Sequence, residues 1–251
     1  MSRGKLALTI VAGLLVFLGV LFFYLPASWF TALLPAQVRC AELGGSIWHG
    51  ECLGLEVQQT PLGDATWNFA PTRAFTGRLT GDVTVHGHML DARADLDTDF
   101  RGVGELRNLS AQFPLDPAFV PQMPRDQRAR IHADVQRLVM GEGGAIRAIQ
   151  GLVELRDLRQ VGARPLELGS YEVRFDSPNA IDGQPVQGTL KDLGGPFTLK
   201  GTLTLTPPNT YLVRGAILGK SAEAEKLVRE ITFGAPPDAS GFSQLSFEGS
   251  Y

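Results

Sequence analysis

The 251-residue chain carries 23 basic and 26 acidic residues, a formal charge of −3. That balance excludes the basic patches on which nucleic-acid backbones and anionic lipid headgroups are held. Sixteen prolines and 29 glycines, without a collagen-like period, fit many short strands joined by turns.

The first element is Leu6 to Leu25, twenty residues without a charge, in which only Thr9 and Tyr24 carry a hydrogen-bonding side chain. Twenty apolar residues at the helical rise cross a bilayer core of roughly 30 Å. Arg3 and Lys5 precede the run, and by the positive-inside rule they stay in the cytoplasm. The sequence therefore predicts a cytoplasmic stub (1–5), a single transmembrane anchor (6–25) and an exported remainder. Tyr24 and Trp29 stand where an interfacial aromatic belt belongs. A cleaved signal peptide is the competing reading, but its apolar region is shorter, roughly 7–15 residues, and Leu25 stands where a small residue is wanted. Without Arg3 and Lys5 the exported part has 21 basic and 26 acidic residues, or −5, which points to protein or apolar partners.

Residues 26–45 read as a membrane-proximal linker, with a short helical turn at the membrane surface between Pro26 and Pro35. Cys40 and Cys52 are the two cysteines. Their spacing matches no usual metal pattern, no CxxC is present, and an exported domain meets an oxidising compartment, so a structural disulfide is predicted. Closing so short a loop contributes on the order of 3 kcal/mol.

From Ser46 the chain turns to β structure, giving an exported β domain over 46–251. Apolar and polar residues alternate with period two, which places one face of each strand on a core. The series are Leu53, Leu55, Val57; Ala65, Trp67, Phe69; Phe75 to Val85; Ile131, Ala133, Val135; and Tyr171, Val173, Phe175. The clearest alternation runs from Phe197 to Thr206, followed by a Pro207-Pro208-Asn209 turn and a return strand with Tyr211, Val213 and Ile217, a predicted hairpin. Asp116 to Arg130 contains Pro117, Pro121 and Pro124 and reads as a loop, a candidate seam between two sheet halves near 114–130. The helix signal is Ser221 to Glu230, with Ser221 as N-cap and Leu227 and Ile231 on one side. The fold expected is mainly β: an extended antiparallel sheet or a partly open barrel with one short helix.

Chemistry-bearing motifs are absent: no GxSxG, HExxH, Walker loop or strand-linked GxGxxG. His86 and His88 share a strand face in this reading, and Asp91, Asp95, Asp97 and Asp99 cluster, but neither group has the spacing of a metal site, and both read as solvated faces. His49 and His132 have no carboxylate-rich neighbourhood to complete a ligand set. Trp48 and Trp67 read as core. No catalytic residue, metal or cofactor is predicted, and no enzyme.

Two stretches carry more. Gly44-Gly45-Ser46-Ile47-Trp48-His49-Gly50 resembles the GTLWxG signature that follows the anchor in the N protein of the bacterial type II secretion system. Phe233-Gly234-Ala235-Pro236-Pro237-Asp238, followed by Gly241-Phe242-Ser243-Gln244-Leu245-Ser246-Phe247-Glu248-Gly249, is similar to that family's closing LGxPD…GRYPLSFSG. Leu25-Pro26-Ala27-Ser28-Trp29 also looks like the family just after its span. Ile47 replaces leucine, Gly241-Phe242-Ser243-Gln244 replaces GRYP, and the cysteines have no counterpart in the pattern. The matching residues read as structural. Gly45, Gly50, Gly234, Gly241 and Gly249 serve turns or close approaches, Trp48, Leu245 and Phe247 fill the core, and Pro237 and Asp238 complete the closing motif. The resemblance implies an inner-membrane protein with a periplasmic domain. It is an accessory of the machine that exports folded proteins, in contact with the outer-membrane secretin or inner-membrane components. The alternative is a lipid-handling or envelope-bridging protein that looks like the AsmA-like proteins, with an apolar groove for acyl chains.

Overall fold

The computed structural model describes residues 3–29, 38–99, 101–115, 125–162, 165–177 and 183–250, without the side chains of residues 3–9, 15 and 143. Helix α1 (Arg3–Phe23) is followed by an antiparallel meander. Its first half is β1 (Val38–Gly45), β2 (His49–Val57), β3 (Thr60–Phe69), the single turn α2 (Pro71–Ala74), β4 (Arg78–His86), β5 (Asp91–Asp99) and β6 (Gly104–Leu115). Its second half is β7 (Gln127–Met140), β8 (Ile146–Gln160), β9 (Leu166–Ser177), β10 (Val186–Asp192), β11 (Phe197–Thr206), β12 (Thr210–Gly219), α3 (Ala222–Ile231) and β13 (Ser243–Ser250). The thirteen strands form one open sheet in chain order, so each pairs only with its sequence neighbours. Of the two architectures expected, the extended antiparallel sheet is observed.

The alternation read from the sequence becomes a two-faced sheet because Cα partners across antiparallel strands share a face. Starting at Val135 on β7, the partners run Gly151, Phe175, Gly188, Leu203, Val213 and Phe247 across β8 to β13. In the other direction Leu106 faces Leu96, Leu96 faces Gly81, and Val83 joins Ala94 to Trp67. One face is thus apolar from end to end. The opposite face is dominated by Thr, Arg, Asp and Glu, as at Thr189, Thr202, Arg214 and Ser246.

The sheet curls towards its apolar face. Cα atoms of β8 and β10, and of β9 and β11, approach within 8 Å across an intervening strand, whereas two spacings of a flat sheet measure about 9.5 Å. The curl lets Val135, Ile149, Phe175, Val186 and Leu205 pack on one another without a second layer. At Gly188 an added Cβ would lie 2.7 Å from the Phe175 ring, so the missing side chain makes room for the aromatic one. Helix α3 closes the face further along, where Ala224 and Val228 pack on Phe197 and Ile217, with Leu199, Leu227 and Leu245 around them. Its N-terminus is capped as expected: the Ser221 Oγ accepts the Ala224 N–H at 3.2 Å.

Several local expectations need correction. β1 lies within the stretch read as linker; its sequence VRCAELGG lacks alternation, and pairing with β2 and the Cys40–Cys52 disulfide hold it. Register shifts on β2 between Cys52 and Leu55 and again at Glu56 break the alternation there, leaving Leu53 38 % exposed while Cys52 is buried. Phe75 belongs to the turn after α2, not to β4, and is exposed. The buried stripe of α3 is Ala224 and Val228; Leu227 is half-buried and Ile231 exposed. β6 pairs directly with β7, so the sheet continues across the 114–130 stretch, of which 116–124 lie outside the described residues. The surface turn expected before Pro35 lies partly outside them too, over 30–37. Among the described residues no helix is long and apolar enough to cross a membrane.

Candidate functional site

The first stretch that resembles a family signature, Gly44 to Gly50, forms the turn between β1 and β2, and it carries the end of α1. The Trp48 indole Nε1–H donates to the Phe22 carbonyl at 2.8 Å, and its ring lies 4.8 Å from the Phe22 ring. The Phe22 ring also lies 4.8 Å from the Phe75 ring. The last carbonyls of a helix have no intrahelical partner, so an indole donor there acts as a C-terminal cap. The chain continues the contact: the Ile47 N–H donates to the Leu25 carbonyl at 3.0 Å, and Pro26 forms a bridge with Ser46.

The turn is built to hold Trp48 in that position. The Ser46 Oγ accepts the Trp48 and His49 N–H groups at 3.3 and 3.1 Å, and the Trp67 indole donates to the Ile47 carbonyl at 3.1 Å. Gly45 has φ +75°, and a Cβ there would meet the His49 carbonyl at 2.4 Å. At Gly50 a Cβ would meet the Trp67 ring at 2.4 Å. Behind the turn, the Cys40–Cys52 disulfide joins β1 to β2 with Cα atoms 5.6 Å apart. Trp48 is 5 % exposed.

The closing motif turns the chain from α3 into β13. Gly234 and Gly241 adopt φ +75° and +84°. The Asp238 Oδ1 accepts the Ser240 and Phe242 N–H groups at 2.8 and 3.0 Å, which locks the loop over which Pro237 is exposed. Leu245 packs beneath α3, and Gly249 lies under the Tyr211 phenol, where a Cβ would come within 2.7 Å of the Oη. Phe247, expected in the core, is 43 % exposed on the apolar face.

The polar groups singled out in the sequence are engaged by protein donors. Asp95 accepts the Asn108 side-chain amide at 2.7 Å, and Asp99 Oδ1 accepts the Arg101 and Val103 N–H groups at 2.8 and 3.0 Å. The Arg78 guanidinium, then the Thr80 hydroxyl, hold the Asp97 carboxyl below the usual carboxylate range. Glu105 is lowered in the same way by hydrogen bonds from Arg107 and then Arg137. Asp91 lies 3.4 Å from His86, both exposed, and His88 sits in the bend after β4 rather than on its face. His49 is exposed and His132 half-buried. Among the described residues no group of three or more metal-ligating side chains converges. Burial, then the Asp192 charge, raises the Tyr171 hydroxyl to about 12, while it donates to the Leu168 carbonyl.

Part of the apolar face remains uncovered. Over β4 to β6 it forms a cleft of about 240 Å³ lined by Val83, Val85, Ala94, Leu96, Leu106 and Leu109, all half-buried. Neither this cleft nor the contact between Trp48 and Phe22 was visible in the sequence: the cleft needs the register of three strands, and the contact joins residues 26 positions apart.

No curated protein and no solved structure matches the chain. The family model of type II secretion system protein N matches residues 36–246, most of the chain. Both sequence stretches that resemble that family, the β1–β2 turn and the entry to β13, fall within the match almost entirely. The chain therefore belongs to the type II secretion system protein N family, an accessory component of type II secretion.

Proposed function

We propose that the chain is an inner-membrane-anchored, periplasmic interaction module of the type II secretion machine, without catalysis of its own. The observation that carries this reading is the junction at Trp48. It fixes one end of a thirteen-stranded meander to the end of α1, so that strand number becomes distance from the anchor. With about 4.8 Å per strand spacing the sheet has a contour of roughly 58 Å. The anchor is part of the proposal. From Leu6 to Phe23 α1 carries no charged residue, and Ile10, Val11, Val16, Phe17 and Val20 are exposed, which is the pattern of a helix surrounded by lipid or protein. The module contacts other secretion components, the secretin or the inner-membrane platform, through its polar face and its strand edges.

A second reading, acyl-chain handling along the apolar face, is favoured by the cleft over β4 to β6. In-cell photo-crosslinking of the full chain distinguishes them, with the probe placed singly at Thr202 and Thr204 on the polar face and at Val83 and Ala94 in the cleft. Adducts with secretion components at the polar positions, with a silent cleft, are the expected result. Phospholipid or lipopolysaccharide adducts at Val83 and Ala94 would replace the first reading with the second. Release of the chain by alkaline carbonate extraction would remove the anchor from the proposal.

A further inference from the structure

We infer that the outer edge of β13 is where the partner attaches, by adding an extended segment of another secretion component to the sheet. The inference rests on the interaction-module reading and names the surface that module uses. Among the described residues β13 pairs with β12 alone, so its other side presents a row of free backbone N–H and C=O groups. Edge strands are usually blunted by bulges, prolines, lysines or short length. β13 has none of these: its eight residues pair with β12 in unbroken register, and SQLSFEGS contains no proline, lysine or arginine. Such an edge is a template for strand addition.

The strand is also held still. Leu245 is pinned under α3 by the cluster of Ala224, Val228, Phe197 and Ile217. The Tyr211 ring packs over Gly249. A rigid edge loses little conformational entropy on binding. On the apolar side an incoming strand lies beside Leu245 and the exposed Phe247; on the polar side it meets Gln244, Ser246 and the exposed Glu248. The occupant is therefore an extended segment with apolar residues at every second position and a basic residue opposite Glu248.

Among the described residues the other edge of the sheet is β1, a poorer template. It carries Arg39 and Glu42, and its last residues run into the turn that holds the α1 junction. A second copy of the chain is disfavoured by geometry. Pairing of two β13 strands would put the two α1 helices at opposite ends of a doubled sheet, about 120 Å apart along its contour. The β13 edge faces away from the anchored end, so it meets components that reach in from the far side.

The test compares amide hydrogen exchange in the full chain, reconstituted alone in nanodiscs, with the chain inside the solubilised secretion assembly. The expected result is about a tenfold slowing at alternate amides of β13 in the assembly, with β1 unchanged. The double substitution Ser246→Lys, Glu248→Lys abolishes that slowing and leaves β12 amides at parental rates, which reports an intact fold. Slowing on the polar face or at β1, with β13 unchanged, overturns the edge assignment and leaves the interaction module standing. No slowing in an assembly that retains the chain overturns both. A dimer of the chain alone that already shows the β13 slowing overturns the partner in favour of a second copy.

Discussion

Replacing Trp48 by phenylalanine isolates the junction between helix and sheet. The substitution keeps an aromatic ring against Phe22 and removes the donor to the Phe22 carbonyl, a bond of 2.8 Å. A neutral hydrogen bond contributes about 0.5–1.5 kcal/mol net. Trp48 is 5 % exposed, so the smaller ring system also gives up roughly 40 Å² of apolar contact, about 1 kcal/mol at 25 cal/mol per Å². The junction is thereby weakened by about 2 kcal/mol, or roughly thirty-fold in its opening equilibrium. The reporter is the Ile47 amide, which donates to the Leu25 carbonyl across the same junction. In hydrogen exchange on the full chain in nanodiscs, that amide should exchange roughly thirty-fold faster, while amides of β8 to β11 keep their rates. An unchanged Ile47 amide would mean that Trp48 does not hold the helix. Acceleration spread evenly over the sheet would mean that the tryptophan supports the whole fold instead.

Further outcomes follow from the packing and the charges. Replacing both Cys40 and Cys52 by serine should cost about 3 kcal/mol by loss of loop closure, seen as early exchange of β1 and β2 with the β7–β11 core unaffected. Phe175→Ala should destabilise the sheet by about 3–5 kcal/mol in urea unfolding, because the ring is 5 % exposed in the central cluster. Gly188→Ala should cost about 1–3 kcal/mol by crowding that ring, and combining it with Phe175→Leu should recover part of the loss. Stability should fall as pH drops below the ordinary carboxylate range, because the folded state holds Asp97 and Glu105 low and their contribution is lost as they protonate. At the alkaline end it should fall from pH 10.0 to about 12, where an unfolded Tyr171 ionises and the folded one does not; Tyr171→Phe should flatten that limb.

The sequence revealed the parts of the fold in which one residue follows another by rule. Strict alternation from Phe197 to Thr206 and the Pro-Pro-Asn turn predicted the β11–β12 hairpin, observed with ten consecutive residue pairs. Ser221 was legible as a cap because its role is local. What escaped is what depends on departures from period two. Asn108 at φ +49° and Gly54 at φ +64° sit where β6 and β2 slip register, so a uniform alternation places Leu53 on the wrong face. β1 has no apolar period because most of its stability comes from its neighbour and the disulfide, and helix–strand contacts such as α3 on Ile217 select Ala224 and Val228 by distance to the sheet rather than by hydrophobicity. The carboxylates of β5 looked like a cluster in one dimension; their donors, Arg78 and Asn108, come from the strands on either side.

In a meander whose strands pair only with their sequence neighbours, no long-range pairing holds the ends, and fraying begins there, as in solenoids whose repeats touch only adjacent repeats. The chain fastens each end by a different device. At β1 a disulfide and the Trp48 junction bind the first hairpin to α1. At the other end α3 lies across β12 and reaches β13. The middle is held by the curl, which brings Val135 and Leu205 into one cluster although four strand spacings separate β7 from β11. Fastening β13 without covering its outer edge keeps it rigid and available together, a combination that general stability does not require: a helix laid along that edge would have protected it better. The position of α3 on the apolar face, rather than over the edge, is therefore the feature of the distal end that stability alone leaves unexplained and that strand addition accounts for.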